Sequence, residues 1–382
     1  MSTPAFVTEN AVRLEDFSRL CEQRTSAEHY PHCTEVQANV PIYDAQRLRD
    51  GDRHAVLDEL HRVFRDGPGV LVIRKGFADT AVVDRQSAVF EAIFAVEAEA
   101  GVAADHFAKA GSNGRIWNSL QKAALQSPAA YVEYYANPLI GLVAEAWLGP
   151  DFQVSAQVNV VRPGGQAQQP HRDYHLGFQT VDVVERYPVH LQVLSQHLTL
   201  QGAVAHTDMP LESGPTQILP FSQQYPLGFL AWRRPEFIEY FQAHAVQLPL
   251  VKGDLLFFNP ALFHAAGTNR TADLHRMANL LQISAAFGKA METVDRERMM
   301  LAIYPHLLAQ LADNLLSAEG LAAVIACTAD GYSFPSNLDT DPPLHGLAPQ
   351  TGQQLMHQAL SERWPYATFA ERVQQMRTKR QA

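Results

Sequence analysis

Between residues 150 and 288 the chain is cut into short apolar runs by proline and glycine: FQVSAQVNVV, HLTLQGAVAHT, SGPTQILPF and GDLLFFNPALFHAAGTN, with the breaker RPGGQAQQP after the first. Many short runs at this spacing, rich in branched and aromatic residues, predict an all-β sandwich or barrel and argue against a sheet of alternating βαβ units. The flanking regions follow a different period. Val56, Leu57, Leu60, Val63 and Phe64 mark one face of a helix that should stop at Asp66-Gly67-Pro68-Gly69, and Val70-Leu71-Val72-Ile73 then reads as a buried strand. A second helical stripe runs through Val82, Val83, Gln86, Val89, Phe90, Ile93 and Phe94. Beyond residue 290, Leu307, Leu308, Leu311, Leu315 and Leu316 form a further stripe. A Pro-rich connection over 334–349 leads to a last amphipathic helix near 351–378. The expected organisation is one domain: an N-terminal helix-and-strand region over 1–149, a β core over 150–288 and a C-terminal helical extension over 289–382.

The formal net charge of −10 excludes the concentrated basic surface that nucleic-acid binding needs, and the one basic cluster, Arg372 to Arg380, reads as a solvated end. The cysteines Cys21, Cys33 and Cys327 are odd in number and widely spaced, so neither a disulfide framework nor a thiolate zinc site is expected. The N-terminus lacks the pattern of a signal peptide, and the chain has no continuous uncharged apolar run long enough for a membrane span. These features predict a soluble, cytoplasmic protein acting on a small molecule, with no nucleic-acid or membrane partner. They say nothing of its oligomeric state.

One segment carries chemistry. In Gln169-Pro170-His171-Arg172-Asp173-Tyr174-His175 the potential ligands stand at alternate positions, and an extended backbone would turn them to one side. An imidazole and a carboxylate from one strand, with a second imidazole from a distant one, make the 2-His-1-carboxylate face that leaves positions open on Fe(II). His264, just past the run Leu255 to Asn259, is the best candidate for the distant imidazole. A second copy of the short pattern, His206-Thr207-Asp208, shows that His-x-Asp alone does not select a site. His29 and His32 beside Cys33 have no fourth partner and read as surface or packing residues. A hydrolytic zinc site built from His171, Asp173, His175 and His264, or a non-catalytic binding protein, would also fit the ligand pattern taken alone.

The wider sequence resembles the phytanoyl-CoA dioxygenase family of Fe(II)/2-oxoglutarate-dependent oxygenases. The resemblance rests on VNVVRPGGQAQQPHRDYHLGF (158–178), DMPLESGPTQILPFS (208–222) and GDLLFFNPALFHAAGTNRTADLHRMANLLQISAAFG (253–288). It implies a double-stranded β-helix, the jelly-roll of cupin-like proteins, flanked by helices. It implies Fe(II), 2-oxoglutarate and O2 as cofactor and co-substrates. It further implies that His171, Asp173 and His264 are the catalytic metal ligands and that Arg276 pairs with the distal carboxylate of 2-oxoglutarate. Arg270 is the competing cation, but its place in the polar Gly267-Thr268-Asn269 turn predicts a solvent-facing side chain. Asn159 matches a recurring asparagine on the strand before the metal loop, and reads either as a contact of the co-substrate or as a strand-edge amide satisfied by backbone. Ala266 stands where the family often has a serine, so Thr268 is expected to supply the missing hydroxyl. Family members that halogenate replace the carboxylate ligand by Ala or Gly; the intact Asp173 implies hydroxylation. Neither Arg115, Trp117 and Asn118 nor the C-terminal extension matches a substrate motif.

Overall fold

The computed structural model describes residues 4–100, 113–333, 337–343 and 345–381. Part of the Pro-rich connection, at 334–336 and 344, and the first three residues lie outside the described residues. Ten strands form among them: β1 Glu35–Gln37, β2 Val40–Asp44, β3 Val70–Arg74, β4 Asn113–Ile116, β5 Gln153–Val161, β6 Thr199–Ala205, β7 Gln217–Ile218, β8 Leu255–Phe258, β9 His264–Ala265 and β10 Arg276–Ser284. Eight of them build one sheet in the order β1-β2-β3-β8-β6-β10-β5-β4, and β7 pairs with β9 in a second, minor sheet. Isolated bridges widen the minor sheet, joining His171 to His264 and Ile218 to Val246. The large sheet and the thin one facing it make the double-stranded β-helix that the sequence leads one to expect.

The pleat sorts the inner strands into two environments. On β5, Val154, Ala156, Val158 and Val160 join the main apolar core, whereas the alternate residues Gln157 and Asn159 line a cavity between the sheets. On β10, Met277, Leu281 and Ile283 face the core while Arg276, Ala278, Leu280 and Gln282 line the cavity. The other two inner strands repeat this, with Leu200, Val204, Leu255 and Phe257 outward and Gln201, Ala203, Leu256 and Phe258 inward. Helices from both ends of the chain cover the outward face. Arg53–Arg65 starts at Asp52, whose carboxylate accepts the Ala55 N–H, and it buries Val56, Leu60, Val63 and Phe64. Thr80–Glu99 starts in the same way at Asp79, and Pro138–Leu148 buries Leu139, Ile140 and Val143.

Three local expectations need correction. The core region contains helices that its strand-like texture hides, Val189–His197 and Pro235–His244; Pro188 caps the first and Pro235 opens the second, where proline's fixed φ suits a helix start. The last helix is two, Gly352–Ser361 and Tyr366–Arg380, because Pro365 bars continuation and Arg363 turns with φ 52°. The leucine stripe after residue 290 is out of phase with the packing: Arg296–Ala312 buries Met299, Met300, Ile303, Tyr304 and Leu307, and the helix has ended before Leu315, which is 70% exposed. Leu308, Leu311 and Leu316 pack only partly against the core.

The two leucines therefore separate a core role from a surface one. Leu307→Ala should cost about 2–5 kcal/mol of unfolding free energy, the range for truncating a fully buried leucine. Leu315→Ala should change it by less than about 0.5 kcal/mol. Urea denaturation of both variants checks this, and equal losses would show that the extension does not pack as described.

Candidate metal centre

Backbone pairing sets the site. His171 and His264 lie directly opposite one another: the His171 N–H donates to the His264 carbonyl at 3.0 Å and the His264 N–H to the His171 carbonyl at 3.2 Å. The Asp173 N–H donates to the Pro260 carbonyl at 2.9 Å, which keeps the segment extended for two more residues. His171 and Asp173 thus point to the same side, and their ligand atoms and that of His264 all lie within 4.8 Å of one another. Between them, Arg172 points the other way into full burial. Its guanidinium donates to the carbonyls of Ser222 at 2.6 Å and Tyr225 at 3.1 Å and lies over the rings of Phe229 and Phe263. Gly228 is required there, because a Cβ at that position would stand 1.8 Å from the Arg172 Cζ.

The imidazoles are oriented through the nitrogen that faces away from the site. His171 Nδ1 meets the Gln169 carbonyl at 2.9 Å and His264 Nδ1 the Leu262 carbonyl at 2.8 Å. A carbonyl only accepts, so each Nδ1 carries a proton, and in the neutral ring each Nε2 presents its lone pair. Those Nε2 atoms stand 3.7 and 3.5 Å from the two oxygens of Asp173. Burial by itself would raise the Asp173 pKa, but the charge of His171, His264 and a hydrogen bond from Gln201 Nε2 at 2.5 Å together hold it below the ordinary carboxylate value. Burial and the neighbouring His264 lower the His171 pKa, so that ring is neutral near pH 7. Two imidazoles and one carboxylate suit a divalent, borderline cation such as Fe(II).

These groups open into a cavity of about 800 Å³. Arg276 lines it, buried to 6% exposure, with one hydrogen bond to the Ser213 carbonyl at 3.1 Å and no carboxylate partner among the described residues. Desolvation pulls its pKa down to about 10, which leaves it cationic at neutral pH. Asn159 also lines the cavity, and its buried Oδ1 has no hydrogen-bond partner. Thr268 does not line it: its hydroxyl accepts the Ala167 N–H at 3.0 Å and holds two loops together. Ala266 and Thr216 do line it. Arg270 is exposed.

The second His-x-Asp is a packing element. His206 is buried, its Nδ1 2.8 Å from the Ser87 hydroxyl and its Nε2 2.8 Å from the Tyr134 hydroxyl, and burial pulls its pKa down to about 3. Asp208 accepts the Lys252 N–H at 2.9 Å. His32 Nδ1 contacts the buried Glu59 at 2.6 Å, and His175 reaches the Lys289 carbonyl at 3.4 Å, so neither joins the cluster. Sequence reasoning missed Gln201, whose signal was a lone amide in the apolar run HLTLQGAVA. It also missed Gln282, which accepts the Tyr174 hydroxyl, and gave no role to Arg115 and Trp117, which line the cavity.

No curated protein matches the sequence. Among solved structures, the chain is similar to the epimerase SnoN in complex with Fe3+, alpha ketoglutarate and nogalamycin RO, at 19% identity and a TM-score of 0.42 over 61% of this chain and 85% of that one. It is also similar to the non-heme alpha ketoglutarate dependent carbocyclase SnoK from nogalamycin biosynthesis, at 20% identity and a TM-score of 0.44 over 60% and 83% of the two chains. No helix among the described residues is long and apolar enough to cross a membrane. A sequence profile of the phytanoyl-CoA dioxygenase (PhyH) family matches residues 65–278, more than half of the 382, and the chain belongs to that family: it is an Fe(II)- and 2-oxoglutarate-dependent oxygenase.

Proposed function

We propose that His171, Asp173 and His264 are the iron ligands, that Arg276 and Asn159 hold 2-oxoglutarate, and that the reaction is hydroxylation of a small organic molecule bound in the same cavity. The observation that carries this reading is the pairing, in one cavity, of an oriented His-Asp-His cluster with a buried arginine that has no anionic partner. A buried guanidinium without a counter-ion is costly, and its planar fork suits a carboxylate. A zinc hydrolase would account for the three ligands and would leave Arg276 and the Asn159 oxygen without a purpose.

When bound, the iron with 2-oxoglutarate and O2 supplies an oxidant able to take hydrogen from a C–H bond, releasing succinate and CO2. The chain's own residues do the rest. The Gln169 and Leu262 carbonyls fix the imidazole tautomers. Gln201 holds one oxygen of Asp173, so the other is left to the metal. Arg276 draws the co-substrate's far end along β10, and the apolar inward residues Ala203, Leu256, Phe258 and Ala278 keep water from the reacting centre.

Removing His171, Asp173 or His264 should abolish stoichiometric iron binding and leave the circular dichroism spectrum in place. His206→Ala should retain iron and lose stability, because it leaves buried hydroxyls of Ser87 and Tyr134 facing a cavity. Metal analysis of purified variants reads both; iron lost from the His206 variant and kept by the triad variants would reverse the assignment. Arg276→Leu should weaken 2-oxoglutarate by about 3–5 kcal/mol, the cost of breaking a buried charged pair. That is roughly two to three orders of magnitude. Arg276→Lys should fall between, since charge remains without the bidentate fork. Anaerobic titration of the Fe(II) protein, following the metal-to-ligand charge-transfer band, measures this, and unchanged affinity in Arg276→Leu would remove that residue from the site.

A further inference from the structure

The cavity is also lined by an acidic residue that the reactions above do not use. Glu292 lines it from the loop between β10 and the helix Arg296–Ala312. Its Oε1 accepts the Asn118 N–H at 2.6 Å, at the start of the helix Ser119–Gln126. The same loop is tied down twice more: Asn118 Nδ2 donates to the Thr293 carbonyl at 3.4 Å, and the Asp295 N–H donates to Gln121 Oε1 at 2.7 Å. The carboxyl group is therefore held in place. Its other oxygen, Oε2, is buried and has no hydrogen-bond partner among the described residues. A purely structural role, bracing the start of that helix, accounts for Oε1 and leaves Oε2 unexplained.

Position makes the free oxygen useful. Gln157 and Arg115 lie beside Glu292, and Arg115 donates to Gln157 Oε1 at 3.0 Å. Gln157 stands opposite Leu280 on β10, and Arg276 stands opposite Val161. Those four residues of strand put the Glu292 end about 13 Å from the Arg276 end. Arg276 thus stands where a dicarboxylate would sit, and the far end carries the Glu292 acceptor next to Arg115, whose guanidinium is engaged with Gln157. Trp117, Phe178 and Trp232 give the cavity aromatic walls.

We propose that Glu292 is the residue that anchors the substrate, its Oε2 accepting a hydrogen bond from a hydroxyl or ammonium group on an otherwise apolar, aromatic-sized molecule. This rests on the reading that Arg276 takes the co-substrate, which leaves the other end for the molecule to be oxidised. Burial pushes the Glu292 carboxyl up to about 7, against the opposing pull of the Asn118 N–H, the Lys122 and Arg115 charges and the adjacent Gln157 amide. Both of its protonation states are then within reach near neutral pH, and each can accept from a donor group. A substrate carboxylate is disfavoured at this end, because ionised Oε2 offers it no donor and the neighbouring Arg115 is engaged with Gln157 Oε1 and lies over the Trp117 ring.

The test uses full-length protein, without metal and loaded with Fe(II) and 2-oxoglutarate, and probes of matched skeleton: phenethyl alcohol, phenethylamine, ethylbenzene and hydrocinnamate. Ligand-observed NMR titrations of wild-type, Glu292→Gln and Glu292→Leu proteins give the affinities. The wild type should bind the alcohol and amine better than ethylbenzene and hydrocinnamate. Glu292→Leu should lose that preference, with a drop of about 10- to 100-fold for a lost hydrogen bond to a charged group. Glu292→Gln, an isostere that keeps an acceptor and loses the charge, should retain the alcohol and lose most of the amine affinity. Three results overturn the proposal: the same probe order in wild-type and Glu292→Leu proteins, hydrocinnamate as the best ligand of the wild type, or no binding of either donor probe at millimolar concentration. The charge-transfer titration separates the two readings. A protein that takes no 2-oxoglutarate yet shows the expected probe pattern would sink the co-substrate assignment alone.

Discussion

The reciprocal backbone hydrogen bonds between His171 and His264 are what the site depends on. They join two segments more than ninety residues apart in the chain, and directly opposed residues in an antiparallel pair carry their side chains on the same face. Once 171 is opposite 264, the two-residue period brings Asp173 to that face too. A slip of one residue would turn both imidazoles away. The minor sheet is thin, so register here cannot come from a long ladder. It is held by what lies on the opposite side of the same segment, where Arg172 is locked by the Ser222 and Tyr225 carbonyls and by two aromatic rings. A buried guanidinium held only by carbonyls and ring faces is not an efficient source of stability, since the desolvation of an ion is only partly recovered that way. Its physical consequence is a segment that cannot shift without exposing or orphaning a cation.

The large sheet solves a related problem. Its inner strands are covered on both faces, and the outward face is apolar apart from Asn279, whose amide donates to the Tyr134 and Tyr135 hydroxyls. Val154, Val158, Leu200, Val204, Leu281 and Ile283 bury against helices from both ends of the chain. The inward row of Gln157, Asn159, Gln201, Arg276 and Gln282 is polar, and a row like that inside a protein is stable only when its groups are paired. Some are paired with one another's neighbours: Gln201 with Asp173, Gln282 with Tyr174, Arg115 with Gln157. Others, such as the Asn159 Oδ1, are not. An unpaired amide oxygen beside a buried, uncompensated cation in one cavity fits a ligand's place.

How much of this was legible in the chain follows from the range over which each feature is encoded. His171 and Asp173 were readable because their relation is local, two positions on an extended backbone, and the fold class was readable because its breaks are local too. The strand Val70–Arg74 and the helices Arg53–Arg65 and Thr80–Glu99 announced themselves by apolar run and period, whereas β1, β2 and β4 did not. The failures came where tertiary packing overrides local pattern. Leu315 continues a perfect stripe, yet Asn314 turns with φ 54° just before it and the helix has already ended. Thr268 offered a hydroxyl in the right stretch of sequence, but the Ala167 N–H takes it. Glu292 sits outside every motif, since what matters about it is the loop that returns it to the cavity beside Asn118.

The two His-x-Asp copies show most directly that residue type does not make a site. His206 and Asp208 have the same spacing as His171 and Asp173. Both nitrogens of His206 are occupied by hydroxyls, one from the helix Thr80–Glu99 and one from the helix Pro128–Tyr135, in a spot where burial alone keeps the ring neutral. No lone pair is left over, and Asp208 is turned to the Lys252 backbone. His171 and His264 differ in that only the far nitrogen of each is satisfied, and by a carbonyl that can do nothing but accept. The near nitrogens are thereby obliged to be acceptors themselves, beside a carboxylate kept ionised. With both rings neutral, two Nε2 lone pairs and a carboxylate converge there, an arrangement that a cation would relieve. The distinction between a ligand and a packing histidine thus lies in which of its two nitrogens the fold has left unspent.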